Sequence, residues 1–447
     1  MPDFNNKPDR LDNKTVCLET FGCTANQNNS EIAAGILSQA GFIITNSLDM
    51  ADIIILNTCV VKSKTESKIK RRIQDLAKEF PKKLLIITGC MPETDFKKLK
   101  KLNSNAIFLG THRFKDILNL IRDYFENKLT KEKQLEYLSK NPEVKLNLPK
   151  QPQNKLISIH QISEGCLGEC SFCKARLAKG KLFSYSKEEI LKSIESDLQN
   201  GAKEIWLTSQ DNAAYGLDQK EKKSELVDLL KNILALNHRF KLRLGMMNPN
   251  NVLPILEDLI EIYKNKKMFK FLHIPIQSAS DKILKDMNRF YKIGEAEKII
   301  NSFKKQFPDI VIATDIIVGY PTESDEDYKH NLEFINKFKP DVLNISKFSS
   351  HKGTPSGKLK VLPNSVVAKR ASELMTAHRE TARQNKQKYL DKTIRVFISK
   401  KISEHLYQAR DDNYNIIYLK CTKEFLGKDA DVKIISVGVH NMIGKKV

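Results

Sequence analysis

The chain has no stretch of the roughly 18 consecutive apolar residues that a membrane-spanning helix requires; its apolar runs are short, like the one in Asp52 to Leu56. No membrane association is expected. Glycine and proline are sparse, at 18 and 15 of 447 residues, which excludes collagen-like and low-complexity chains. The opening MPDFNNKPDR lacks an apolar core and carries acids, so it does not read as a secretory signal, and a cytoplasmic location is expected. Negative charge is also in short supply. Asp and Glu number 54 against 75 Lys and Arg, a formal net charge of +21. Such a surplus attracts polyanions, nucleic acid first, although lysine-rich surfaces also arise for solubility alone. What is present suits a globular protein: 40% hydrophobic and 29% charged residues, in a length that suggests about three domains of roughly 150 residues.

From Thr15 to about Phe125 short apolar runs alternate with amphipathic stretches. The runs are Thr15 to Phe21, Asp52 to Asn57, Leu84 to Thr88 and Ala106 to Leu109; Ser30 to Ala40, Ser63 to Phe80 and a short segment near Asp95 lie between them. This predicts a small flavodoxin-like parallel sheet with helices on both faces, over 12–126. Charge and Pro142, Pro149 and Pro152 mark 127–154 as a linker. Six further strand-like runs follow in 155–362: Leu156 to Gln161, Glu204 to Thr208, Lys241 to Met246, Phe269 to Ile276, Ile310 to Val318 and Val342 to Phe348. Helical segments at Lys187 to Gln199, Ser224 to Leu236, Val252 to Tyr263, Glu295 to Gln306 and Ser324 to Phe338 separate them, which predicts a partial (β/α)6 TIM-like barrel. Residues 363–389 read as a basic helical connector, and 390–447 as a small β-barrel. The chain is thus α/β in class.

In a reducing compartment eight cysteines read as ligands, catalytic groups or core fillers before disulfides. Cys166, Cys170 and Cys173 form C-x3-C-x2-C in EGCLGECSFCKAR, beside Gly165 and Gly168. Thiolates so close must share a metal or cluster. Structural zinc would need a fourth ligand, whereas a 4Fe-4S cluster on three thiolates leaves one iron open. Phe172 is the aromatic expected in this loop when S-adenosylmethionine (SAM) binds that iron, or else a packing residue. Cys23, Cys59 and Cys90 each follow a predicted parallel strand, and strand carboxyl ends share one sheet edge, so these thiols can converge. Cys17 and Cys421 read as packing residues.

The C-x3-C-x2-C loop resembles the radical-SAM signature. Two such trios, one in a flavodoxin-like domain and one in a barrel, followed by a β-module, resemble the methylthiotransferase family along nearly the whole chain. The segments EGCLGECSFCKARLAKGKLFSY, EIWLTSQDNAAYG, FLHIPIQSASDKIL, IATDIIVGYPTES and KGTPSGK look like the archaeal and eukaryotic branch acting on N6-threonylcarbamoyladenosine at tRNA position 37. Departures from that pattern are Gln210, Asn212 with Ala213, and Lys352. The resemblance implies a second 4Fe-4S cluster on Cys23, Cys59 and Cys90, and a C-terminal TRAM domain that binds the tRNA anticodon stem-loop. It also implies an electron donor such as ferredoxin or flavodoxin, and a sulfur source. The reaction it implies uses SAM twice, once to methylate a sulfide on the second cluster and once to form the radical that takes hydrogen from carbon-2 of the adenine.

If the barrel is right, Ser209, Gln210, Asp211, Arg243, Gln277, Ser278 and Asp315 point toward SAM from strand ends. His273 is as readily a core histidine, and Arg243 a structural partner of Asp315. Arg379, Arg383 and Lys386 on the connector, with Arg395 and Arg410 beyond it, are candidate RNA contacts, and Tyr407, Tyr414 and Tyr418 either stack on bases or fill the module's core. Two other functions compete: methylthiolation of a ribosomal-protein aspartate, and a non-enzymatic zinc-stabilised RNA-binding protein.

Overall fold

The buried runs of the N-terminal region form five parallel strands: β1 (Thr15–Thr20), β2 (Ile43–Thr45), β3 (Ile53–Thr58), β4 (Leu84–Gly89) and β5 (Ile107–Gly110), in sheet order β2-β1-β3-β4-β5. This computed structural model describes residues 11, 13–138, 140–421 and 424–447. The polar opening ten residues, and position 12 where the first domain was expected to begin, lie outside them. Two compact units are present, one running to Gln153 together with Ile159–Cys166 and Cys173–Ser193, the other comprising Asn154–Ser158, Leu167–Phe172 and Ile194–Val447.

In the first unit, alternation along each strand sorts residues between two cores. Ile53, Ile55 and Ile86 pack with Ile32, Ile36 and Ile117 on one face; Ile54, Leu56 and Ile87 pack with Ile69, Ile73 and Leu99 on the other. Both faces are therefore covered, which is why β3 and β4 read as unbroken apolar runs. Cys17 belongs to the second of these cores, as a packing residue. The helix Thr24–Gln39 begins six residues before the predicted Ser30, because Asn26, Asn28 and Asn29 are buried on it although their polarity reads as loop. The segment near Asp95 is the helix Cys90–Leu102, kinked at Asp95, with Pro92 in its first turn where a missing N–H costs nothing. The three-residue edge strand β2 is too short to leave a sequence signal.

The charge-rich stretch 127–154 is not a free tether. It carries the helix Lys131–Glu136, capped by the Thr130 hydroxyl accepting from the Lys133 N–H at 3.2 Å, then the buried residues Tyr137 and Lys145. Tyr137 donates its hydroxyl to Asp123 at 2.5 Å. Pro149 crosses the first helix at Gly35, where any β-carbon would lie 2.4 Å from the Pro149 backbone.

The strand β6 (Ile157–Gln161) begins in the second unit and ends in the first. In the second unit the Leu156 carbonyl accepts from Lys203 and Glu204 at 2.8 and 2.9 Å, which leads into β7 (Glu204–Thr208) and its parallel neighbour β8 (Lys241–Leu244). A second parallel group comprises β9 (Phe271–His273), β10 (Val311–Val318) and β11 (Val342–Lys347). The bridge between Leu242 and Met268 joins the two groups into one open curved wall. β9 is shorter than predicted because Pro275 has no N–H to give the ladder; Ile274 and Gln277 still donate to Ala313 and Asp315. The helix predicted over Val252 to Tyr263 is divided by a 3-10 turn at Leu253–Ile255 that contains Pro254, and resumes as Leu256–Lys264.

The connector is the helix Asn364–Gln387. It leads to β12 (Thr393–Ser403), β13 (Leu406–Arg410), β14 (Ile416–Lys420), β15 (Asp429–Val437) and β16 (Met442–Lys446), a closed barrel in order β12-β13-β14-β16-β15. Tyr407 lies in its core with Val396, Leu419 and Ile434, and so does not face bases; Cys421 packs at the edge of that core. Tyr414 is likewise withdrawn from RNA. It sits at φ +68° in the turn between β13 and β14, its ring 5.0 Å from that of Phe269 and 4.9 Å from that of Phe271. Arg410, expected to contact RNA, is buried with its guanidinium 3.9 Å over the Tyr414 ring and 3.7 Å from Glu204. Lys386 is buried too, so the amphipathic phase of the connector turns it inward. Replacing Tyr414 with alanine removes this aromatic contact and uncovers Arg410; urea denaturation should show a loss of about 3–5 kcal/mol.

Candidate functional site

Each N-terminal candidate ligand stands where a strand ends. Cys23 is the N-cap of Thr24–Gln39, Cys59 directly follows β3, and Cys90 opens Cys90–Leu102 directly after β4. The sheet order reverses between β1 and β3, the point where open α/β sheets gather ligands, and Cys23 and Cys59 flank it. Glycine permits the approach. At Gly22 (φ +117°) a β-carbon would lie 2.6 Å from Cys59 Cβ and 2.9 Å from its sulfur. Asparagines then fix it: Asn26 Nδ2 donates to the Phe21 and Thr58 carbonyls at 2.8 and 2.9 Å, and Asn57 Nδ2 to the Asn26 carbonyl at 2.8 Å. The Thr58 hydroxyl donates to the Thr88 carbonyl at 2.6 Å and accepts from the Met91 N–H at 3.2 Å, which ties the Cys59 and Cys90 loops together.

The thiols sense one another. Burial, then the Cys23 thiol, push Cys59 up to about 11; burial pushes Cys90 up to about 12 against the pull of Lys179, with Cys59 and Cys23 adding to the rise. Beside them lies a buried ionic group that the sequence reading missed. Glu164 Oε1 is 2.5 Å from Lys145 Nζ and 3.1 Å from Lys179 Nζ, and Oε2 is 2.8 Å from His112 Nδ1. Burial alone would raise the Glu164 carboxyl, but Lys145, Lys179 and His112 hold it well below its ordinary value. Two ammonium groups against one carboxylate leave positive charge next to the thiols, and Lys179 works against the rise that burial imposes on Cys59 and Cys90. Among the described residues no three His, Cys, Asp or Glu side chains converge as around a single metal ion. A four-iron cluster takes one thiolate per iron and so asks for a wider spacing, which this glycine-opened, positively charged edge fits.

The second trio is held from several sides. Cys166 donates its N–H to the Gly180 carbonyl at 3.2 Å, and Gly165 (φ +72°) passes so close to Lys181 that a β-carbon would lie 1.8 Å from its carbonyl oxygen. Cys173 is the N-cap of the helix Lys174–Lys179, whose buried Lys174 pairs with Glu66 at 2.9 Å and Asp95 at 2.6 Å. Cys170 lies in the segment Leu167–Phe172 of the second unit. Ser171 donates its N–H to the Met287 carbonyl at 2.9 Å and exchanges a 2.9 Å hydrogen bond with the Tyr320 hydroxyl, while Asn288 Nδ2 donates to the Glu169 carbonyl at 2.9 Å. Phe172 packs against Ile283, Met287 and Tyr320. Arg289 Nη1 approaches the Cys170 sulfur at 3.3 Å. No motif marks Arg289; its only sequence signal is a cation in the loop after QSASDKIL.

The strand-end candidates divide by role. Ser209 Oγ and Gln210 Oε1 are buried without a protein partner among the described residues. Asp211 is fully engaged: it accepts from the Asn248 N–H at 3.0 Å, Asn248 Nδ2 at 2.8 Å and Asn251 Nδ2 at 2.7 Å, and caps the turn Asn212–Ala214. Asn212 donates to the Met246 carbonyl at 2.8 Å, and Lys352 is exposed. Gln277 sits at φ +64° and bridges to Ile316, and Ser278 is buried with its hydroxyl accepting from the Ser280 N–H at 3.2 Å. Asp315 pairs with His273 at 2.5 Å and not with Arg243. Arg243 instead lies among aromatic rings, 5.1 Å from Phe271 and 5.5 Å from both Trp206 and Tyr414, so it braces the end of the wall closed by the Tyr414 turn.

Residues 15–110 match the uncharacterized protein family UPF0004, and residues 161–335 the radical SAM superfamily. A probable threonylcarbamoyladenosine tRNA methylthiotransferase of Methanothermobacter thermautotrophicus is 40% identical over 76% of this chain and 78% of its own. One of Archaeoglobus fulgidus is 34% identical over 96% of this chain and 98% of its own. The chain belongs to this family. The Homo sapiens threonylcarbamoyladenosine tRNA methylthiotransferase is 30% identical over 97% of this chain and 74% of its own. Among solved structures, the radical SAM methyltransferase TsrM of Kitasatospora setae superposes with a TM-score of 0.56 at 11% identity over 77% of each chain, which shows the shared fold. The family is one of radical SAM tRNA-modifying enzymes, so the chain works with SAM and a 4Fe-4S cluster. No helix among the described residues is long and apolar enough to cross a membrane.

Glu93, in the first turn of Cys90–Leu102, gives this region a pH signature. Burial raises its carboxyl to about 7, against the N–H of Thr111 and nearby lysines. A carboxyl raised on folding stabilises the fold fully below its unfolded value and loses that contribution as pH climbs through about 7. Urea midpoints measured from pH 4 to pH 8 should fall more steeply for the parent protein than for Glu93→Gln.

Proposed function

We propose that this protein adds a methylthio group to carbon-2 of N6-threonylcarbamoyladenosine at tRNA position 37, beside the anticodon, using SAM and two 4Fe-4S clusters. The observation that supports this reading beyond the family is that Cys23 and Cys59 flank the reversal point of the first sheet and Cys90 follows the neighbouring strand β4, beside buried positive charge. In this reading Cys166, Cys170 and Cys173 hold the SAM cluster and Cys23, Cys59 and Cys90 the second. Together the bound groups supply one-electron cleavage of SAM and a transferable sulfur, chemistry that a carbon–hydrogen bond unreactive toward side-chain bases requires. The chain's own residues do the placing. Phe172 anchors the cysteine loop by packing on Ile283 and Met287. Asp211 fixes Asn248 and Asn251.

The remaining RNA candidates are Arg379 and Arg383, exposed on the connector helix, and Arg395, 64% exposed and 3.1 Å from Asp431. Phosphates of the anticodon stem-loop would be their partners. A reduced ferredoxin or flavodoxin would supply electrons, a separate sulfur donor would restore the second cluster, and the cytoplasm would keep the thiols reduced. Nucleoside mass spectrometry of tRNA from a host that lacks the modification and expresses this gene should reveal 2-methylthio-N6-threonylcarbamoyladenosine; its absence, with reconstituted clusters, refutes the substrate. Cys23→Ala, Cys59→Ala and Cys90→Ala combined should lower iron from roughly eight to roughly four per chain and abolish product while SAM cleavage persists. Zinc in place of iron would favour a non-enzymatic RNA-binding protein. In filter binding, Arg379→Glu with Arg383→Glu should weaken tRNA association and reduce its salt dependence by about two charges.

A further inference from the structure

Arg289 is a half-buried cation whose polar contacts among the described residues include no carboxylate. Nη1 meets the Cys170 sulfur at 3.3 Å; Nη2 donates to Asn248 Oδ1 at 2.6 Å and to the Pro275 carbonyl at 3.2 Å. The guanidinium plane also lies 5.0 Å from the Tyr291 ring centroid. These contacts come from different parts of the wall. Asn248 follows β8, and Pro275 follows β9. Asn248 is itself oriented from behind, because its Nδ2 is committed to Asp211 at 2.8 Å, which leaves Oδ1 to face the arginine. A continuous line of hydrogen bonds thus runs from Asp211 through Asn248 and Arg289 to the sulfur of Cys170. Beside it lies a cavity of about 100 Å³ lined by Leu167, Cys170, Asn251 and Phe290 among others.

The strength of a guanidinium contact to sulfur depends on the charge that the sulfur carries. Toward a neutral thiol the contact is a weak one, and the lost hydration of the cation goes uncompensated; toward a thiolate it is charge-assisted. Reduction potentials of iron–sulfur clusters respond to local charge and to hydrogen bonds on the ligating sulfurs. Reduction adds negative charge to the cluster, so a fixed positive charge at one of its sulfurs stabilises the reduced form and raises the potential. We propose that Arg289 is a positioning residue that sets the reduction potential of the SAM cluster through Cys170, and that Asp211 and Asn248 hold it there. This rests on the reading of Cys170 as a ligand of that cluster.

The test uses the full chain carrying Cys23→Ala, Cys59→Ala and Cys90→Ala, so that one cluster remains, reconstituted anaerobically and titrated potentiometrically with electron paramagnetic resonance as the readout. If this parent retains no iron, the assignment of Cys170 fails and the inference with it. With iron retained, Arg289→Met should shift the midpoint to more negative potential, while Arg289→Lys, which keeps the charge, should stay close to the parent. An Arg289→Met protein with full iron and an unchanged midpoint overturns the proposal, as does an Arg289→Lys midpoint displaced as far as that of Arg289→Met. Should Arg289→Met fail to assemble its cluster, Arg289→Lys decides: a cluster at the parental potential supports the role of charge, and no cluster overturns it.

Discussion

The close approach of the Gly22 and Cys59 loops at the carboxyl edge of the first sheet is the constraint on which the first site depends. Gly22 makes it possible, because no β-carbon fits between its backbone and Cys59. The asparagines make it specific. Asn26 and Asn57 spend their amides on carbonyls of neighbouring loops, so the loops are fixed by the protein itself and do not wait for a ligand to order them. The ionic group around Glu164 then sets the charge. A lone buried carboxylate would repel thiolates, but flanked by Lys145 and Lys179 it leaves a net positive buried group.

The second unit solves a similar problem differently. There the segment Leu167–Phe172 is secured by Met287, Asn288 and Tyr320, and most of the strand-end polar groups, Ser209 and Gln210 excepted, are taken up by protein partners. Asp211 illustrates the distinction. As a strand-end acid it reads as a direct cofactor contact, yet its oxygens are occupied by two asparagines, and it acts by orienting them. His273 and Asp315 likewise satisfy each other.

Legibility in the sequence followed physical scale. Strands β3, β4, β7 and β10 are readable because they are apolar runs bounded by turns, and the six candidate ligand cysteines stand out by their spacing or their place after such runs. What was not readable depended on partners distant in sequence. Asn26, Asn28 and Asn29 look like loop residues but are helical and buried, since the groups they satisfy lie on other strands. Lys145 and Arg289 carry no motif, and their importance arises only when 19 or 119 residues of intervening chain are folded away. The burial of Arg410 and Lys386 is illegible for the converse reason: a basic residue on an exposed-looking strand or helix can be the one turned inward.

The Tyr414 turn has a bearing on how this architecture can be modified. Its ring, inserted among Trp206, Phe269 and Phe271 and clasped by Arg410 and Arg243, makes the C-terminal barrel a stopper for the (β/α) wall. A stopper cannot be exchanged like a cassette. Any graft of another β-module onto this scaffold would have to bring an aromatic tip of its own, or leave that end of the wall open to water.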